Sequence, residues 1–258
     1  MGAELLAVRR EHDGALLSCT LQNPPGNILD SRMIAALSSA VEHAGEEVKA
    51  IAFEGAGRHF CFGASVEEHR PAQAADMLAQ FHGFFRLLAQ KCIPTLAIVK
   101  GQCLGGGLEL AVYCSWIFAA PDALFGQPEI RLGLFPPLAS VLLPWRLGGA
   151  AALDLCVSGR SIAATRDHTV GLVHYVDEDP SRVARALFAE QLLPLSASSL
   201  RFAERAVRHD LLRRIENDLP AIERLYLEEL MQTRDAVEGI GAFLAKRPAR
   251  FGGKKVDP

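Results

Sequence analysis

Thr95 to Val99 is an unbroken apolar run fenced by Pro94 and Gly101. A strand without polar alternation must be covered on both faces, which is the situation of a strand inside a parallel sheet layered with helices. The rest of the first two thirds of the chain agrees with that constraint. Ala15 to Leu21 and Val48 to Phe53 read as further strands, and Met33 to His43 reads as the helix between them, with Asp30 or Ser31 as its N-cap. Repetition of strand and helix in this order predicts an α/β layer fold with right-handed crossovers.

From about Ser181 the pattern becomes helical. RVARALFAEQLL, SLRFAERAVRHDLLRRIENDL and AIERLYLEELMQTRDAVEGIGAFLAKR carry apolar residues at helical spacing, punctuated by Pro194 and Pro220. Helices of this kind cannot bury their apolar faces alone, so they are expected to fold over the α/β body, over a neighbouring subunit, or over both. There is no internal repeat and no low-complexity tract, and the tail-like segment is GGKKVDP.

Two acids stand out against the apolar background. Glu109 lies in GQCLGGGLELA and Glu129 in LFGQPEIRLG, 20 residues apart and separated by almost wholly apolar sequence. Acids at the edge of a core are costly unless paired or used. The glycines in front of Glu109 let backbone approach a ligand closely, and those at a helix start leave amide groups pointing outward. A third segment, GAGRHFCFGASVEEH, has Gly63 and Ala64 after an aromatic run. A phosphate site would need GxGxxG after a strand or GxxxxGK[ST], and these segments contain neither. Two turns that each direct one amide at one oxygen suit an oxyanion better.

Blander readings compete with this one. A triple glycine can serve tight packing alone, and either glutamate alone can be a surface or salt-bridged acid. Ser65 with His69 suggests a serine–histidine nucleophile, yet no GxSxG elbow accompanies it. His69 and His82 could reach a pocket or could be solvated or core histidines. The HFCFGASVEEH cluster lacks metal-ligand spacing, so no metal is expected.

The 258 residues, half of them hydrophobic, suffice for a full core, and the formal net charge is −3. With that balance, Arg201, Arg205, Arg208, Arg213 and Arg214 read as solvated helix faces, and no nucleic-acid partner is expected. The six cysteines are scattered without CxxC spacing and read as reduced structural thiols. MGAELLAVRREHDG has acids and no apolar segment of signal-peptide type, and Leu6 stands where myristoylation needs serine or threonine. The apolar stretches Leu110 to Ala120 and Leu132 to Trp145 are short of a membrane span. A soluble, cytoplasmic protein is the expectation.

The ordered set FxxGAS, GxxLGGGLELA and FGQPEIRLG resembles the crotonase superfamily, the enoyl-CoA hydratases and isomerases, and the likeness extends to EGIGAFLAKRPARF near the C-terminus. The resemblance implies a crotonase (ClpP-like) spiral of ββα units over residues 1–190 and a helical oligomerisation region over residues 191–258, assembled as a homotrimer or a dimer of trimers. The implied substrate is an acyl-CoA thioester, with coenzyme A as part of the substrate and no separate cofactor. By motif position, the amides of Ala64 and Gly106 would form an oxyanion hole, with Gly63 and Gly105 in the same turns, and Glu109 and Glu129 would be the catalytic carboxylates. Phe62 would lie where the backbone meets the CoA adenine. Phe243 and Lys246 resemble positions that reach a neighbouring subunit's CoA. Retention of both acids favours hydration over isomerisation.

Two departures sharpen the resemblance. The common PGxGG(T/S)QRL after the second acid is replaced by FPPLASVLLPWRLG, and the usual GAD is GAS, with Ser65 in place of an acid. Together with FGASVEEH, these look like the cyclohexa-1,5-diene-1-carbonyl-CoA hydratases of anaerobic aromatic degradation. That likeness implies a ring pocket shaped by Leu134, Pro136, Pro137, Leu138 and His69. Linear enoyl-CoA hydration, isomerisation, thioester hydrolysis and non-catalytic CoA-ester binding are the alternatives.

Overall fold

The computed structural model describes residues 4–23, 26–164 and 171–252. The expected tail lies outside them from residue 253 onward, as does the Met-Gly start.

Six strands form the main sheet: β1 (Leu6–Glu11), β2 (Leu16–Leu21), β3 (Ala50–Gly55), β4 (Thr95–Val99), β6 (Trp116–Ala119) and β9 (Tyr175–Val176), in that spatial order. The pair β1 and β2 is antiparallel, and every later pairing in this sheet is parallel. A second sheet contains β5 (Gln102–Leu104), β7 (Leu124–Gly126) and β8 (Ser161–Ala163). The strand expected at Thr95 to Val99 has those bounds, and all five of its residues are buried.

The alternation of side chains on β4 explains its continuous apolarity. Ala97 and Val99 face a core shared with Leu17, Ile51, Phe53 and Ile117, whereas Leu96 and Ile98 face a second cluster with Phe118, Leu187 and Phe188. Helix α1 (Ser31–Glu42) and helix α2 (Ala74–Lys91) cover the first face through Met33, Leu37, Phe84 and Phe85. Asp30 caps α1 by accepting the Met33 amide at 2.8 Å. Strand β1 was not anticipated, because Arg9, Arg10 and Glu11 mask its pattern; it is the edge strand and carries those charges on exposed or half-buried positions.

Parallel pairing between successive turns of the chain turns the layered sheet into a spiral. Leu29 bridges to Ala64, Cys61 bridges to Cys103, and β5 pairs with β7, each in parallel. After crossing the main sheet, the chain therefore makes a short second passage at the same level before its helix. Helix α3 (Gly106–Tyr113) follows β5, and helices α4 (Ala139–Leu147) and α5 (Gly149–Ser158) follow β7. This is the expected repetition of ββα units.

Helix α6 (Pro180–Leu187), capped by Asp179, closes the second face of the main sheet. Beyond it lie α7 (Ala197–Val207), α8 (His209–Asn217), α9 (Leu219–Arg224) and α10 (Arg234–Leu244), with a π-helical turn at Leu225–Glu229 before a short 3-10 turn. Leu211, Ile215, Leu219, Tyr226, Met231 and Ile240 join the main apolar core, so α8, α9, the π turn and α10 bury their apolar faces on the α/β body, whereas α7 has no fully buried residue.

One arginine departs from its expected place. Arg208, read as part of a solvated face, is 3% exposed. Its guanidinium donates to the Tyr113 carbonyl at 2.6 Å, pairs with Glu204 at 2.7 Å, and lies 4.9 Å from the Tyr113 ring centroid. Planar stacking and a fork of donors make such burial tolerable. By contrast, Arg213 and Arg214 pair with Asp210 at the surface.

Candidate active site

The turn before α3 sets the geometry of the site. Gly105 has φ +51°, a backbone region that disfavours side chains, and a Cβ there would come within 2.5 Å of Glu129 Oε1. Next to it, a Cβ on Gly106 would sit 3.1 Å from the Ala64 amide nitrogen, and one on Gly63 would sit 3.3 Å from the Gly106 amide nitrogen. The two turns therefore bring the Ala64 and Gly106 amides side by side at the wall of a cavity of about 430 Å³. Gly106 opens α3, so its amide has no helical acceptor. Neither amide donates a hydrogen bond to a group among the described residues.

Glu109 projects from the first turn of α3 and is 5% exposed. Its Oε1 accepts the Ala139 amide at 2.6 Å, at the start of α4. Burial pushes its carboxyl up to about 7, although the amides of Ala139 and Leu138 pull the other way. Glu129 lies on the 3-10 turn Pro128–Leu132 after β7 and is half-buried. The buried Gln127 side chain, oriented so that its amide donors are satisfied, donates to Glu129 Oε1 at 3.2 Å and Oε2 at 3.0 Å. Burial, with the nearby Glu109 charge adding to it, raises the Glu129 carboxyl to about 8. Two acids of this kind share protons near neutrality, and their titration belongs to the pair.

Both glutamates line the cavity together with Phe62, Gly63, Ala64, His69, Gly105, Gly106, Leu134, Pro136, Pro137 and Phe243. Two residues expected around the substrate are placed elsewhere. Leu138 is wholly buried in the core at the start of α4, and Ser65 is not in the cavity wall. Lys246, expected at a neighbouring subunit's ligand, is exposed beyond α10. Phe243, expected to reach a neighbouring subunit's ligand, stands at the wall of this chain's own cavity.

His69 Nδ1 lies 2.7 Å from the Ser65 carbonyl oxygen, not from its hydroxyl. A serine–histidine nucleophile therefore has no hydrogen bond to support it among the described residues. The cysteines are all free, and burial pushes the Cys61 and Cys114 thiols up to about 12, which leaves them protonated and inert. No cluster of three or more potential metal ligands occurs among the described residues. No described helix is long and apolar enough to cross a membrane.

Helix α2 supplies a wall of which the sequence reading raised His82 alone. Met77, Leu78, Phe81 and His82 line the cavity at helical spacing. A Cβ on Gly106 would touch Phe81 Cζ at 3.1 Å, so this ring packs directly beside the paired amides. Amphipathic periodicity in Ala74–Lys91 was the available signal, but it does not distinguish cavity-facing from core-facing positions.

A protein-family profile described as enoyl-CoA hydratase/isomerase matches residues 11–254. The chain belongs to that family. It is 51% identical to a cyclohexa-1,5-dienecarbonyl-CoA hydratase of Thauera aromatica, over 95% of this chain and 96% of that protein. Among solved structures, an enoyl-CoA hydratase from Mycobacterium avium subsp. paratuberculosis K-10 superposes with a TM-score of 0.82 at 25% identity, covering 97% of this chain and all of that one. An enoyl-CoA hydratase from Bacillus halodurans, at 16% identity, shares the fold with a TM-score of 0.83 over 93% of this chain. Membership in the family accords with the spiral of ββα units and with the three motifs around the cavity.

Proposed function

We propose that this chain is an acyl-CoA hydratase that adds water to cyclohexa-1,5-diene-1-carbonyl-CoA, giving 6-hydroxycyclohex-1-ene-1-carbonyl-CoA. The observation that carries the reading is the pair of acids raised to about 7 and 8, beside two unpartnered amides in one cavity. The 51% identity to the Thauera aromatica hydratase supports the cyclic substrate. The wall of Leu134, Phe135, Pro136 and Pro137 supports it too, because apolar side chains there suit a compact ring.

The thioester oxygen is held by the Ala64 and Gly106 amides, where negative charge grows as water attacks the ring carbon β to the thioester. Each such donor is worth about 3 to 4 kcal/mol to the transition state. One carboxylate, ionised, removes a proton from the attacking water. The other, protonated, returns a proton to the ring carbon that ends the conjugated system. A pair with one shared proton has both forms at once, and this is what two raised, coupled acids provide. Coenzyme A enters as part of the substrate, with Phe62 at the adenine end of its path, and no separate cofactor is needed.

The active form is a homotrimer or a dimer of trimers. Leu153, Val157, Phe202 and Val207, all more than 60% exposed, support an assembly that covers them. The reading is tested by spectrophotometric hydration of a small acyl-CoA panel. Turnover of the cyclic dienoyl ester well above crotonyl-CoA is expected. Activity confined to linear enoyl esters would replace the cyclic reading with general enoyl-CoA hydration.

A further inference from the structure

His82 sits in α2 with 1% exposure, yet it is part of the cavity wall. Its Nδ1 lies 2.6 Å from Glu223 Oε1, and Arg86 Nη2 reaches the same oxygen at 2.8 Å. Glu223 comes from α9, 141 residues away in sequence, and does not line the cavity. Burial alone would raise the Glu223 carboxyl, but the hydrogen bonds from His82 and Arg86, with the Arg86 charge, hold it below its usual value. Glu223 is thus an anion that accepts the Nδ1 proton. That fixes the tautomer of the imidazole: the proton is on Nδ1, and Nε2 carries a lone pair. Burial also lowers the His82 pKa, so the ring is neutral at neutral pH.

The Nδ1 edge faces Glu223, away from the cavity. Nε2 has no hydrogen-bond partner among the described residues. Among the described residues the side-chain atoms buried without a partner are Arg146 Nε and Tyr226 Oη, and Nε2, which is not one of them, keeps some accessible surface. What remains accessible on a ring this buried opens onto the cavity. An acceptor held by a carboxylate and a guanidinium, beside Phe81 and Leu78, is a fixed polar point in an apolar acyl wall.

We propose that His82 Nε2 is a specificity-determining acceptor for a hydroxyl carried on the acyl ring, with Glu223 and Arg86 as its positioning residues. The inference rests on reading this cavity as the acyl pocket, and it extends that reading from a bare ring to hydroxylated rings. The hydrated product, which gains a hydroxyl, belongs to the class so recognised.

The test is equilibrium binding of cyclohexanecarbonyl-CoA and of its 3-hydroxy and 4-hydroxy derivatives. None of these can lose water by β-elimination, so affinity is read without turnover. At least one hydroxylated ester is expected to bind the intact protein about tenfold more tightly than the parent, the worth of one well-placed hydrogen bond. His82→Phe is expected to erase that advantage, so that parent and hydroxylated esters bind the variant alike, and His82→Gln, which keeps an acceptor, to restore part of it. In the wild-type protein, the histidine ring ¹⁵N signal of Nε2 should shift on binding the hydroxylated ester and not the parent, which serves if either variant fails to fold. Equal affinities for all three esters, or an advantage that survives His82→Phe, would overturn the proposal. Failure to hydrate the cyclic diene would remove the substrate reading alone, since the binding comparison does not depend on turnover.

Discussion

Two acidic sites, one lining the cavity and one behind its α2 wall, behave in opposite ways. Glu223 has a histidine and an arginine on one oxygen, and its carboxyl is held down despite partial burial. Glu109 and Glu129 have amide donors but no cation, and their carboxyls rise to about 7 and 8. Burial acts in the same direction on all three. A partner cation is therefore what separates an acid that builds structure from an acid free to trade protons. The fold supplies the cation in one place and withholds it in the other, and that difference marks the catalytic candidate more sharply than burial does.

The comparison breaks first at the rate. Glu109→Gln and Glu129→Gln should each lower kcat about a hundredfold to ten-thousandfold, the usual worth of a positioned acid or base. Steady-state assays check this, and undiminished activity in either variant would end the two-carboxylate mechanism. The same pair predicts a bell-shaped rate profile. Below about 7 both acids are protonated and the water-activating base is lost, and above about 8 both are ionised and the proton donor is lost. Maximal kcat between these values is the expected outcome, and a flat profile from pH 5 to 9 would exclude the coupled pair as the source of the chemistry.

How far the site could be read from sequence follows from the range of the forces involved. Glu109, Glu129, Gly105 and Gly106 were legible because each sits in a local turn whose backbone demands are written in neighbouring residues. β4 and the Asp30 cap were legible for the same reason. The Glu223 site was not, because His82 and Arg86 meet it across 141 and 137 residues, and no spacing rule spans such a distance. Arg208 was misplaced on similar grounds: the carbonyl and rings that make its burial tolerable come from Tyr113 and Trp145. The break between α7 and α8 and the π turn at Leu225–Glu229 also escaped notice, since apolar spacing runs through them uninterrupted. Ser65 and Leu138 lie outside the cavity wall because a motif names positions and not directions.

Stability should separate the two sites by sign. For Glu109 the folded pKa is raised from 4.5 to about 7, so the folded state binds the proton more tightly. Its contribution is most favourable below pH 4.5 and is lost as pH rises toward 7, a swing of about 3 kcal/mol. Glu109→Gln has no charge to lose, so its thermal midpoint should gain on the wild type between pH 5 and pH 8. Glu223 is depressed instead, so its contribution exists above its unfolded pKa and fades as pH falls through the acid range. Glu223→Gln should cost about 2 kcal/mol at pH 7, as expected for losing charge-assisted hydrogen bonds, with the deficit shrinking in acid. Denaturant melts across pH check both, and parallel pH trends in the two variants would erase the distinction between the sites.

A further test falls on the turn beside Glu129. Gly105→Ala puts a Cβ on a residue at φ +51° and ψ −127°, a backbone conformation that glycine adopts far more readily, costing on the order of 2 kcal/mol. The added carbon would also lie 2.5 Å from Glu129 Oε1, so the carboxylate must swing off its position between Gln127 and the cavity. A melt lowered by only this small amount, together with a kcat loss far larger than the stability loss explains, is the expected outcome. The Glu129 side chain can swing without disturbing a strand or helix, because among the described residues it is held by hydrogen bonds from Gln127 and from its own backbone amide. A variant with lowered stability and unchanged kcat would show that the site tolerates movement of its second acid. The proton-trading role would then rest on Glu109 alone.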